Sequence, residues 1–256
     1  MSDKLSIVMP CFNRTEVLPW GLKSIRSQTI TTDYEVVVVN DGFQDETEEI
    51  CKSFSDTMNI KYIFSGQRNV NGVPVWRVPS VAINAGVKAS TGNIIILTCP
   101  EIYHTGNTIQ PLVNAVIANK HCRSITRDGL KDGERVILDA LQKNDGNINV
   151  SDYAGHCTKL DTNFPFCMCF SKEVFMYMGG YDEDFEDGIT GDDDDFISRL
   201  HRMGISGVTT SEGSLVHLFH TSVLWDQAKR DRNMKLFHER ISGSVIRNAG
   251  KEWGKI

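Results

Sequence analysis

Unbroken runs of aliphatic residues, separated by stretches of helical period, constrain this chain most. Glu35-Val36-Val37-Val38-Val39 and Asn93-Ile94-Ile95-Ile96-Leu97-Thr98 show no polar–apolar alternation. Strands built from them must be covered on both faces, as in a parallel sheet between helical layers. Leu5-Ser6-Ile7-Val8-Met9, ended by Pro10, reads as another buried strand, as do residues 60–64. Leu18, Leu22 and Ile25 recur at i, i+4 and i+7 behind Thr15, which is suited to cap a helix. Helices are also expected over residues 46–54 and 79–89. Strand and helix thus alternate to about residue 120, the pattern of an α/β doubly wound sheet.

Ligands of such sheets bind beyond the carboxyl ends of the strands. Residues 10–14, 40–42 and 99–101 lie at those ends and should meet around one crevice. The segment 121–161 is polar and rich in Asp and Asn. It reads as a variable insertion beside the crevice, with one helix over 134–143. A strand over 164–170, a short helix over 172–178 and a last strand over 215–219 complete the expected elements. Cys167 and Cys169 share one face of their strand, most simply as core.

Bulk properties exclude several classes. A net charge of −6 opposes a dedicated nucleic-acid binder. No apolar run approaches the roughly 18 residues of a membrane span, and residues 1–4 lead into a strand without a signal-peptide pattern. The seven cysteines are scattered and odd in number, which fits reduced thiols in a cytoplasmic protein. No Gly-x-Gly-x-x-Gly follows the first strand and no phosphate-loop lysine is present, so a dinucleotide oxidoreductase or an ATPase is not expected.

The densest chemistry lies between residues 179 and 220. Gly179-Gly180-Tyr181-Asp182-Glu183-Asp184-Phe185 is followed by Thr190-Gly191-Asp192-Asp193-Asp194-Asp195-Phe196 and then His217-x-x-His220. Phe196, Leu200 and Met203 mark one face of a helix from about 193 to 203, ended by Gly204. Asp suits a helix start, yet capping needs one or two carboxylates, and four repel one another. Crowded carboxylates raise one another's pKa, which is how a general base is made.

Pro10-Cys11-Phe12-Asn13-Arg14, Asn40-Asp41-Gly42, Asn84-Ala85-Gly86 and Ser90-Thr91-Gly92-Asn93, in this spacing, resemble the family-2 glycosyltransferases of GT-A fold. The likeness covers most of residues 4–120 and 164–220. It implies a Rossmann-like, mostly parallel sheet in one domain over 1–220. That domain would comprise a nucleotide-binding half (1–120), the insertion (121–161) and an acceptor-side half (162–220), with a helical tail at 221–256. It also implies a nucleotide-sugar donor, UDP-linked, held by Pro10, Phe12, Arg14, Asp41, Arg77 and Asn84, with Asp41 accepting from the base. The Gly-Gly-Tyr-Asp and acidic motifs resemble the acceptor side of galactosyltransferase-like and chondroitin-polymerase-like enzymes. There Asp192 stands in for the usual Glu, and Asp193 for the base that deprotonates a glycan or lipid-linked glycan hydroxyl, with inversion.

One position departs from the family. Its Asp-x-Asp is replaced by Cys99-Pro100-Glu101, leaving Glu101. The resemblance makes Glu101 and His217 the ligands of Mn²⁺ or Mg²⁺, with His220 a less favoured partner, and Arg77 and Arg14 the charges that would serve if the metal were weak. His104 reads as structural. Two other classes stay open: a sugar nucleotidyltransferase, although residues 10–14 lack its glycines, and a non-catalytic nucleotide- or glycan-binding relative. The tail carries eight Lys or Arg against four Asp or Glu. Trp225, Met234, Phe237, Ile241 and Val245 suggest an amphipathic helix that packs on the domain or a second copy, with docking to the inner membrane face as the alternative.

Overall fold

The aliphatic runs become inner strands in a computed structural model, which describes residues 3–66, 77–163, 166–221 and 225–256. β1 (Lys4–Cys11), β2 (Asp33–Asn40), β3 (Ile60–Phe64) and β4 (Ile94–Thr98) lie in the order β3-β2-β1-β4, all pairs parallel. Successive side chains face opposite ways, and both faces are covered. Ile7, Met9, Val36, Val38 and Ile96 pack with Leu18, Leu22 and Ile25 of α1 (Leu18–Arg26). Val8, Val37, Val39, Ile95 and Leu97 pack with Ala82, Ile83 and Val87 of α3 (Ser80–Ala89). α2 (Thr47–Ser53) links β2 to β3. Gly86 brings α3 close to the sheet: a Cβ there would lie 2.6 Å from Val8 Cγ1 and 2.9 Å from Val39 Cγ2. Gly86→Ala is expected to lower stability by about 1–3 kcal/mol, read as a fall in the urea midpoint at unchanged slope.

Beyond β4 the sheet is mixed. β5 (Ile102–Gly106), α4 (Ile109–Ala118), β6 (Cys122–Lys131), α5 (Val136–Lys143), β7 (Thr158–Lys159), β8 (Cys167–Ser171) and α6 (Lys172–Tyr177) precede α7 (Asp192–Arg202), β9 (Ser206–His217) and α8 (Gln227–Arg240). The order continues β4-β8-β6-β9-β5, with β7 paired to β6. Cys167 and Cys169 are both buried in the core, as expected, and all seven cysteines are free.

Several elements differ from the sequence-based expectation. The segment 121–161 is no mere insertion, because β6 lies inside the sheet between β8 and β9, and Ile137, Leu138 and Leu141 of α5 bury against Val17, Trp20 and Val216. β9 begins at Ser206 rather than near 215. Its first residues are polar and mostly exposed, so the ladder to β6, not an apolar pattern, holds them extended. Thr15 does not cap α1; the Arg14 carbonyl accepts from the Val17 and Leu18 amides instead. In the tail, α8 buries Asn233 while Trp225 and Ile241 are exposed. The Asn233 amide donates to the carbonyls of Phe185 (3.0 Å) and Thr190 (2.8 Å), so a polar anchor replaces the expected apolar stripe. Phe164, expected to start β8, lies outside the described residues. No helix among the described residues is long and apolar enough to cross a membrane.

Candidate active site

The carboxyl ends of β1, β2 and β4 do converge. A cavity of about 390 Å³ is lined by Pro10, Phe12, Arg14, Asp41, Arg77 and Glu101, together with Cys11, Pro79, Ala82, Cys99, Phe166, Ile189, His220 and Trp225. The charged groups on its walls are already engaged. Asp41 Oδ1 accepts from the Ser65 hydroxyl at 2.7 Å, and its Oδ2 lies 3.3 Å from Arg77 Nε. Arg77 Nη1 reaches Glu186 Oε1 at 3.3 Å. Arg14 donates to the carbonyls of Phe12 (3.1 Å) and Asn13 (3.3 Å), which fixes its own loop, and its Nε lies 3.6 Å from Glu101 Oε2. Asn13 adopts φ +52° at this turn, a conformation that Asn tolerates better than most residues.

Glu101, His217 and His220 form one cluster whose ligand atoms all lie within 4.8 Å of one another. Glu101 Oε1 is 4.0 Å from His217 Nε2 and 3.6 Å from His220 Nε2. His220 Nδ1 lies 3.0 Å from the Thr221 carbonyl. Burial lowers the His217 pKa, opposed by the nearby Glu101 charge, so the neutral imidazole that a metal requires is favoured. Glu101 Oε2 is buried without a hydrogen-bond partner. One carboxylate and two imidazoles, with a buried carboxylate oxygen that makes no hydrogen bond, fit a divalent cation. His220, less favoured from sequence, is placed as well as His217.

At the start of α7 the four aspartates separate into different roles. Gly191 at φ +84° turns the chain into the helix. Asp192 is 3% exposed, and its Oδ2 has no hydrogen-bond partner. Burial and the adjacent Asp193 charge hold its pKa well above the usual carboxylate range. Asp193 lines a hollow of about 60 Å³ that shares Pro10, Pro79, Cys99 and Phe166 with the larger cavity. Its Oδ1 accepts from the Tyr181 hydroxyl at 3.2 Å. Burial pushes its pKa up to about 7, and Asp194 adds to the rise while the Tyr181 bond opposes it. Asp195 is buried between Arg199 Nε (2.6 Å) and Arg247 Nη2 (2.7 Å). Asp194 faces a separate groove with Ser198, His201 and Phe237.

Two residues singled out from sequence lie elsewhere. Asn84 is fully buried outside the cavity. Its Oδ1 accepts from the Tyr181 amide at 2.8 Å, and its Nδ2 donates to the Tyr181 carbonyl and to Glu183 Oε1, both at 2.9 Å. With every polar atom of the side chain occupied, its job here is to clamp Tyr181. His104 is 2% exposed on β5, with both ring nitrogens unpartnered, and burial lowers its pKa to about 4. It is a neutral core histidine, in accord with the structural expectation. Tyr181 has no site role from sequence, and Trp225, expected only on the tail helix, lines the cavity. Tyr181 stands inside the quoted Gly-Gly-Tyr-Asp motif, but only the fold shows its hydroxyl reaching Asp193.

A mixed α/β sheet with this crevice, an Asp-bearing helix start and a carboxylate–imidazole cluster is the architecture of a GT-A glycosyltransferase. The model of "Glycosyl transferase family 2" matches residues 6–175, and the chain belongs to that family. It is 25% identical over 232 residues to a chondroitin synthase of Escherichia coli, covering 79% of this chain and 33% of that one. It is 26% identical over 153 residues to a poly(ribitol-phosphate) β-N-acetylglucosaminyltransferase, TarP, of Staphylococcus aureus, covering 58% and 43%. The chain thus spans about a third of the chondroitin synthase it matches. Among solved structures, GalNAc-T7 with UDP, GalNAc and Mn²⁺ superimposes with a TM-score of 0.67 at 14% identity, covering 93% of this chain and 48% of that one. A mannosyltransferase from Pyrobaculum calidifontis with GDP-Man and Mn²⁺ gives 0.59 at 15% identity, covering 86% and 58%.

Proposed function

We propose that the chain transfers a hexose or N-acetylhexosamine from a UDP-sugar to a hydroxyl of a growing glycan, with inversion at the anomeric carbon. The observation that carries this reading is the placement of Asp193. It is a carboxylate with a raised pKa in a hollow adjoining the cavity that Pro10, Phe12 and Asp41 line for a nucleoside. Asp193 takes the proton of the acceptor hydroxyl as it attacks, and Tyr181 holds the carboxylate in orientation. Arg14 and Arg77 stand where the leaving diphosphate gathers charge. Glu101, His217 and His220 would hold the divalent cation, which supplies further neutralisation of that charge. A UDP donor is supported by the relative solved with UDP and GalNAc, and a glycan acceptor by the chondroitin synthase likeness.

A non-catalytic relative is the second reading, because Cys99 occupies the place of the family's first Asp. It predicts donor binding without release of free UDP.

Thermal shift with UDP, GDP, CDP and dTDP, each with Mn²⁺, Mg²⁺ or EDTA, tests the donor and the metal. A nucleotide at 100 times its Kd stabilises a fold by about 2.7 kcal/mol. UDP with Mn²⁺ is expected to give the largest shift. Two imidazoles favour Mn²⁺ over Mg²⁺, which prefers an all-oxygen octahedron. Glu101→Gln should abolish the metal-dependent part of the shift and retain the rest. An equal UDP shift in EDTA would remove the metal from the reading. No shift with any nucleotide would remove the nucleotide pocket.

A further inference from the structure

We propose that the segment following α8 is a positioning element for the base, with Arg247 as its central residue. This rests on the reading of Asp193 as the base. No side chain caps the first turn of α7, which follows Thr190 (φ +61°) and Gly191 (φ +84°). Asp195 in that turn is held by Arg199 Nε from within the helix at 2.6 Å, and its Oδ1 meets Arg247 Nη2 from the tail at 2.7 Å. Arg247 Nε lies 3.1 Å from Asp182 Oδ2. Asp182 directly follows Tyr181, the residue whose hydroxyl reaches Asp193. One guanidinium therefore joins the two strands of chain that carry the base and its hydrogen-bond donor. Asp182 and Asp195 are each 1% exposed and Arg247 7%, so the joint is buried.

The rest of the tail converges on the same place. Arg240 pairs with Asp182 and Asp184, and Lys251 Nζ reaches Asp184 at 2.6 Å. Asn248 Nδ2 donates to the carbonyls of Gly179 (2.8 Å) and Tyr181 (2.7 Å). The paired glycines are shaped to receive it. A Cβ on Gly179 would lie 2.1 Å from the Arg247 carbonyl oxygen, and one on Gly180 would lie 2.3 Å from Asn84 Oδ1 and 2.7 Å from the Trp253 ring. Both have positive φ, +72° and +70°. The Gly179-Gly180-Tyr181-Asp182 motif is thus the seat of the tail, and Tyr181 is gripped from Asn84 on one side and Asn248 on the other. A misplacement of about 1 Å at a reacting group can cost 100-fold in rate, so loosening this joint should register in turnover.

The test compares Arg247→Met and Arg247→Lys with wild type, well below each protein's unfolding midpoint. Two readouts are taken: hydrogen exchange of the amides at 190–196, and kcat and KM for UDP release from a UDP-sugar panel. Arg247→Met should speed exchange at 190–196 while leaving β1, β2 and β4 protected. It should also lower kcat per folded molecule by about 10- to 100-fold, with UDP affinity by thermal shift within about twofold of wild type. Arg247→Lys, which keeps one charge, should recover part of both effects. Faster exchange with unchanged kcat would make the tail a scaffold only and overturn the proposal, as would unchanged exchange. If wild type releases UDP from no donor, the glycosyl-transfer reading fails. The exchange result then decides separately whether the tail holds α7.

Discussion

Asp193→Asn is expected to leave nucleotide binding intact and reduce sugar transfer at least about 100-fold. The amide keeps the volume and can still meet the Tyr181 hydroxyl, but it cannot accept the proton of the acceptor. Wild type should also show the titration of this group. A base works as the carboxylate, so with a pKa near 7 activity should fall as pH drops below about 7 and level off above it. Burial and the Asp193 charge raise the Asp192 pKa as well, but Asp193 is the one of the two that lines the hollow. The measurement is kcat/KM against pH for UDP release, with thermal shift by UDP on the Asn variant. Transfer by Asp193→Asn within about tenfold of wild type, or a flat profile between pH 5 and 8 (a span of roughly 1000-fold in proton activity, set by the definition of pH), would remove Asp193 from its role.

Arg199→Met should give the largest loss of stability, about 3–5 kcal/mol. Arg199 is fully buried, and its Nε pairs with Asp195 at 2.6 Å. Its other nitrogens donate to the carbonyls of Gly180 (2.9 Å), Met178 (3.3 Å) and Val245 (3.4 Å). Methionine fills the space beside Phe196 but satisfies none of these acceptors. The Asp195 carboxylate is then left in the interior with Arg247 alone. Urea unfolding monitored by tryptophan fluorescence reads the loss, and a change below about 1 kcal/mol would show that Arg247 and water compensate.

The cavity at the strand ends was legible because its signals are local. Unbroken Val and Ile runs name inner strands, and the loops after them must lie at the ligand end of a parallel sheet. Pro10, Phe12, Arg14, Asp41, Arg77 and Glu101 accordingly share one cavity. The acidic run stood out for a similar reason, since four adjacent carboxylates have few structural uses. Illegible were β5, β6 and the early part of β9, which are polar or mixed and owe their conformation to pairing partners far along the chain.

The sequence alone therefore determined which residues are candidates for chemistry: the paired histidines, Glu101, the acidic helix start and the two turns. Only the tertiary structure decided how they divide the work. Asn84, an expected donor contact, became a clamp on Tyr181. Of four aspartates one lines the hollow beside the cavity, one is buried with an unpartnered oxygen, one turns to another groove and one is bound by two arginines. Arg247, distant from every motif in the chain, proved to be part of the joint. A residue's chemical type is written in its own side chain, but its pKa, partners and orientation depend on what long-range packing brings within a few ångströms of it.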